Sequence, residues 1–224
     1  MNQDDTKARL LEAAGEEFAE KGFDGATVRS ICQKAGANLA AVNYHFGDKS
    51  QLYIQAVVEA HRCGTVPLPA DAFEHLSPAD QLRKYIRHFL SNVLAINRPG
   101  SWQNTLMLRE MLSPTEAADI LVDEAIRPRF LRLSGILGRI CPGADRRRLD
   151  ALCMSVVGQC LQYKMARMIT EKIIGPGRFE DLYDLDYLSA HIGDFTLAAL
   201  GLAAPLDGSG RPAGTDGDEG GEGS

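Results

Sequence analysis

Apolar residues recur three and four positions apart along nearly the whole chain, and nowhere do they alternate with the period of two that a half-buried strand requires. The pattern predicts helices only. The first, over about residues 4–21, carries Leu10, Leu11, Ala14, Phe18 and Ala19 as one stripe and is ended by Gly22. Behind a Thr27 cap, Val28, Ile31, Cys32 and Ala35 share the inward face of a second helix, which Gly36 stops in a left-handed conformation. Asn38 caps a third, in which Leu39, Val42 and Phe46 are expected to face the protein and Ala40, Ala41, Asn43 and Tyr44 to face outward. Asp48, with Gln51 three residues on, caps a fourth over about 49–62.

Pro67 and Pro69 cannot continue that helix, so the stretch 64–77 marks a domain boundary. Ser77-Pro78 opens a fifth helix running to about 97, which Arg98-Pro99-Gly100 ends, and a sixth spans 101–112. Ser113-Pro114-Thr115-Glu116 starts a seventh as a capping box with proline at its first position, and Pro128 predicts a kink within it near 124–127. Pro142-Gly143 closes that segment. One long helix, apolar on more than one face, is expected over 146–174. A last one over 185–202 carries Leu185, Leu188, Ile192, Phe195, Ala199 and Leu202 at steps of three and four. From Pro205 the chain turns to Gly, Asp, Glu and Ser, which bury nothing and predict disorder. The expectation is therefore an all-α protein: a helix-turn-helix domain over 1–63, including its connecting helix, a helical ligand-binding and dimerisation domain over 64–204, and an acidic Gly-rich tail over 205–224.

The net charge of −6 changes this picture little, because the tail sets Asp207, Asp216, Asp218, Glu219 and Glu222 against Arg211 alone. Between residues 27 and 49 the balance reverses, with Arg29, Lys34 and Lys49 against Asp48. The polar start MNQDDTKARL is not signal-like and no apolar run reaches membrane-spanning length, so a cytoplasmic location away from membranes is expected. The five cysteines form no Cys-x-x-Cys pair. Cys153 and Cys160 share a helix face, which permits a redox-sensor reading beside a simple core role. No catalytic fingerprint or phosphate-binding loop occurs and the histidines have no ligand-spaced partners, so no enzyme, metal or cofactor is expected.

The outward face of the third helix carries chemistry of its own. Asn43 has the paired donor and acceptor that match an adenine edge, Ala40 and Ala41 let the backbone approach a groove, and Tyr44, His45 and Lys49 can donate to phosphates. Glu17, Phe18, Gly22, Thr27, Ile31, Ala35, Gly36, Tyr44, Phe46, Lys49 and Leu52 stand in the order and spacing of the N-terminal helix-turn-helix of the TetR family of bacterial regulators, which residues 6–60 resemble. The wording NLAAVNYHFGDK, with WQNTLMLREMLSP and SVVGQCLQYKMAR further on, resembles the branch carrying a CecR-type effector domain. The more usual family wording has Tyr where Asn43 stands, so no base contact is carried over at that position.

The resemblance implies a repressor that binds a palindromic operator in double-stranded DNA as a homodimer and responds to a small-molecule effector. By resemblance and geometry, Arg29, Ala40, Ala41 and Asn43 are the base-edge candidates, and Thr27, Tyr44, His45 and Lys49 the phosphate candidates. The last two helices would form the dimer interface through Leu149, Val156, Leu185, Leu188, Ile192, Phe195 and Ala199. An effector pocket is expected among Trp102, Met107, Met111 and Phe130, with His88, Arg109, Arg127, Gln159 or Tyr163 orienting the ligand. The alternative is a helical ligand-binding or enzyme domain with an unused helix-turn-helix.

Overall fold

The computed structural model describes residues 3–63, 65–69, 72, 74–95 and 101–203, and every regular element among them is helical. The acidic tail from Pro205 and the Arg98-Pro99-Gly100 stop lie outside the described residues. In chain order the helices are α1 (Gln3–Gly25), α2 (Val28–Ala35), α3 (Leu39–Phe46), α4 (Lys49–Cys63), α5 (Pro78–Ala95), α6 (Trp102–Leu112), α7 (Glu116–Leu121), a π-helical turn (Val122–Ile126), α8 (Arg127–Ile140), α9 (Arg146–Met165), α10 (Arg167–Ile174), α11 (Pro176–Leu182) and α12 (Leu185–Ala199).

Two compact units result, and they do not follow chain order. The first comprises the described residues up to Pro67 together with Asn92–Arg132, and the second Leu68–Ser91 with Leu133 onward. By packing, α6 and α7 group with the first unit, where their buried faces lie, although they follow the expected boundary at residue 64 in the chain. Trp102, Leu106, Met107, Ala117 and Leu121 join Leu10, Phe18, Ile31, Val42 and Leu52 in one core. Trp102 lies flat on α1, its Nε1 donating to Glu12 Oε1 at 2.7 Å, at a place where α1 has no side chain. A Cβ built on Gly15 would stand 2.4 Å from Trp102 Cε3. Gly15→Ala is therefore expected to cost about 1–3 kcal/mol in urea unfolding. Trp102 is the single tryptophan, so the variant's emission should shift to the red as the ring leaves its seat. Unshifted emission with wild-type stability would contradict the packing.

Gly22 breaks α1 as expected, with φ 74 and ψ 175 within Gln3–Gly25. The kink anticipated near Pro128 takes the form of the π turn over Val122–Ile126, where the Arg127 N–H reaches back to Val122 O. The wider turn accommodates the proline that an α-helical turn would strain. Pro114 lies outside α7 rather than at its first position, because Thr115 is the cap, accepting from the Ala117 N–H at 3.2 Å.

The buried apolar side chains of the second unit include Leu82, Ile86 and Leu90 of α5, Leu133 and Leu137 of α8, Cys153, Val156 and Cys160 of α9, and Leu188 and Ile192 of α12. Arg83 pairs with Asp194 and Arg87 with Asp186, tying α5 to α12. The single helix expected over 146–174 is broken at Ala166, whose ψ of 7 leaves the helical range. Gly175, at φ 82 and ψ 158, then admits the short α11 behind Pro176. Burial pushes the Cys153 thiol up and the Cys160 thiol up to about 12, which removes the thiolate that a redox sensor needs.

Candidate nucleic-acid interface

Two short helices are held in place by side chains that satisfy one another's ends. The Ser30 N–H donates to Thr27 Oγ1 at 3.1 Å, and the Ser30 hydroxyl donates to Glu17 Oε2 at 2.8 Å. Glu17 is buried in α1 and takes a second bond from Lys21 Nζ at 2.7 Å. The Lys21 bond, with help from Ser30, holds the Glu17 carboxyl below its usual range against the opposing effect of burial. At the other end of α2, Gly36 adopts φ 60 and ψ 37, and Arg9 Nη1 reaches from α1 to the Ala35 carbonyl at 3.1 Å. Asn38 Oδ1 accepts the Ala41 N–H at 2.9 Å and starts α3 in a new direction. Asp48 Oδ1 does the same for α4 through the Gln51 N–H at 2.8 Å.

Val42 and Phe46 seat α3 in the core. Leu39 does not join them: it is 59 % exposed, because only two residues of so short a helix reach the interior. Ala40, Asn43 and Tyr44 face outward with Arg29 from α2, and Tyr44 is 72 % exposed. Ala41 and His45 are half-buried, with the His45 ring edge-on to Tyr44 at 5.0 Å. The Thr27 hydroxyl is engaged in its cap. Lys49 Nζ rests 4.6 Å above the Phe23 ring, a seat from which a phosphate oxygen would have to draw it.

The expected effector residues are not brought together in one unit. Trp102 and Met107 are core of the first unit, and Phe130 is half-buried there. Arg109 Nη2 donates to the Ala19 and Glu20 carbonyls at 3.3 Å, securing the end of α1. Met111 is exposed, as is Arg127, which pairs with Asp123 at 2.7 Å. His88, Gln159 and Tyr163 are half-buried in the second unit, Gln159 Nε2 bonding the Ser155 carbonyl of its own helix.

The expected dimer seam also divides. Val156, Leu188 and Ile192 are buried within the unit, Leu149 and Leu185 are half-buried, and Phe195 and Ala199 are exposed. The interior face of α12 is rotated away from the seam and centred on Ser189, Gly193 and Thr196. The hydroxyls of Ser189 and Thr196 fold back onto the Asp186 and Ile192 carbonyls, which lets polar residues lie inside. Gly193 lets the stem of Arg83 approach, with Cγ 3.4 Å from where a Cβ would stand.

Sequence reasoning missed one buried network altogether. Glu110 of α6 accepts from Tyr53 Oη at 2.6 Å, from the Thr115 N–H at 2.7 Å and from the Thr115 hydroxyl at 2.9 Å, joining α4 to the start of α7. A glutamate within an apolar run, LMLREML, was the available sign.

A short capped helix with an open polar face, mounted on a second helix by buried side chains, defines a helix-turn-helix DNA-binding protein. Residues 10–56 match the model for bacterial regulatory proteins of the tetR family, and residues 78–200 match that for the C-terminal domain of the HTH-type transcriptional dual regulator CecR. The chain is 26% identical over 180 residues to CecR of Shigella flexneri, covering 72% of this chain and 76% of that protein. It is 30% identical over 118 residues to the transcriptional regulator RutR of Escherichia coli K12, covering 53% of this chain and 52% of that one. In fold it is similar to a linker-substituted mutant of HlyIIR, with a TM-score of 0.60 and 19% identity over 86% of this chain and 100% of that one. A tetR-family protein from Rhodococcus RHA1 gives a TM-score of 0.59 at 18% identity, covering 88% of this chain and 96% of that one. The chain belongs to the TetR family of transcriptional regulators, with a C-terminal domain of the CecR type, and is a DNA-binding regulator.

Proposed function

We propose that the chain is a repressor that binds a palindromic operator as a homodimer in the cytoplasm and changes its grip when a small molecule is bound. The observation that carries the DNA reading is the open face of α3, where Ala40, Asn43 and Tyr44 stand exposed while Val42 and Phe46 hold the helix from behind, with Arg29 of α2 exposed as well. Arg29, Ala40, Ala41 and Asn43 read base edges. Tyr44, His45, Lys49 and the Thr27 cap region meet phosphates. Two such helices on a two-fold axis would enter major grooves roughly 34 Å apart.

The dimer reading is supported by large apolar side chains of the second unit that stand exposed among the described residues. Met154 and Met165 of α9, Met168 and Ile173 of α10, and Phe195 of α12 are each about half exposed or more. Exposed large apolar side chains at this density are what an interaction surface presents.

The experiment is selection of genomic fragments by the purified protein at low salt, followed by binding to the enriched site and its single-base variants. An inverted repeat is expected to emerge, and Asn43→Ala to cost about 1–3 kcal/mol at one base pair per half-site while sparing the others. A uniform loss across all variants would remove Asn43 from the base readers. Failure to enrich any repeat would favour a helical ligand-binding domain whose helix-turn-helix is unused.

A further inference from the structure

Where α9 gives way to α10, the second unit gathers side chains that neither DNA binding nor the dimer reading uses. The Arg167 guanidinium lies over two rings at once, 4.8 Å from the Phe179 centroid and 4.9 Å from that of Tyr183. Those rings are 4.1 Å apart, and Tyr163 meets Tyr183 edge-on at 5.8 Å.

Lys164 stands one turn before Arg167 and four residues after the buried Cys160, on the side of α9 that faces the interior. Burial holds its ammonium below the usual lysine range, and no opposing charge compensates. Among the described residues no carboxylate lies within ion-pairing distance of Lys164 or Arg167. The Tyr183 hydroxyl is buried with no hydrogen-bond partner among those residues. An anion with two oxygens at this corner would give the Tyr183 hydroxyl an acceptor and the two cations a counter-charge. The half-buried state of Lys164, Tyr163, Arg167 and Tyr183 leaves the corner within reach of solvent.

We propose that this corner binds the carboxylate of a flat aromatic acid, with Arg167 and Lys164 taking the anion, Tyr183 Oη donating one bond to it, and Tyr163 flanking the ring. The site stands on residues of the second unit alone; that its occupation alters operator affinity rests on the effector response proposed above.

The test is calorimetric titration of the full chain with 2-naphthoate and with its neutral isostere 2-naphthamide. Saturable binding of one naphthoate per chain is expected, with naphthamide at least about tenfold weaker and K164M and R167M each losing about tenfold or more. R167K keeps the positive charge but loses the planar donor set, so it should bind more weakly than wild type and more tightly than R167M, which separates loss of the site from loss of the fold. Absence of saturable naphthoate binding by the wild type at millimolar concentration, or equal binding by K164M and R167M, overturns the proposal. So does weakened self-association of K164M and R167M with no change in naphthoate binding, since the cations would then serve a carboxylate of the second copy. Operator binding measured separately with and without naphthoate tests the effector response: naphthoate that binds and leaves operator affinity unchanged upholds the site and contradicts that response.

Discussion

Phe195→Asp is expected to leave the protomer folded and to weaken operator binding by about 100-fold or more, because a charge buried without a partner at an interface costs several kcal/mol. Phe195 is 49 % exposed on α12, so the substitution removes little from the protomer's own core and its thermal unfolding should move only slightly. Sedimentation equilibrium should show a shift from dimer toward monomer, and fluorescence anisotropy on the selected operator should show the loss of affinity. The two readings are linked: a patch with so few cations as Arg29, Lys34 and Lys49 would gain its grip from being presented twice in the proposed dimer. A variant that stays dimeric and binds the operator as the wild type does would place the dimer interface elsewhere.

Glu110→Ala carries the second large effect, this time on stability. It removes the shared acceptor of Tyr53 and Thr115 in a position that is 2 % exposed, leaving a phenol and an amide without partners. A loss of about 3 kcal/mol or more in urea unfolding is expected, with Glu110→Gln intermediate because its amide keeps one acceptor oxygen. The network has a pH signature as well. Burial first, and then the bond to the Glu110 carboxylate, push the Tyr53 phenol well above its ordinary value of 10.0. The unfolded chain therefore ionises Tyr53 before the folded one does. Its contribution is complete below about pH 10 and falls as the pH climbs toward the folded value. Tyr53→Phe should flatten that part of the alkaline loss, and an unchanged slope would show that the phenol titrates alike in both states.

The helices were legible wherever a cap or a stop has its own local chemistry. Thr27, Gly36, Asn38, Asp48 and Gly22 each act within a few residues of themselves, so their roles can be read without knowing the fold. What failed depended on distant partners. Leu39 is apolar at the right spacing and still lies outside, because α3 is anchored by Val42 and Phe46 alone. On α12 the evenly spaced apolar residues mark only the edge of the buried face, since Ser189 and Thr196 satisfy their hydroxyls on their own helix and so pass as polar. Trp102, Met107 and Arg109 were expected around a ligand. Their environment is set by Gly15 and by the α1 carbonyls some ninety positions earlier. The recognition face needed no such long-range knowledge, because it is what remains of α3 once the two anchors are removed.

The π turn at Val122–Ile126 amounts to one residue more than an α-helix would hold between α7 and α8. It confines that extra residue to a single turn, so the faces of α7 that join the core and the faces of α8 beyond Pro128 keep the phases they would have in an uninterrupted rod. A lineage that lost one codon in this stretch and its proline together could close the turn into plain α-helix without rotating either flank.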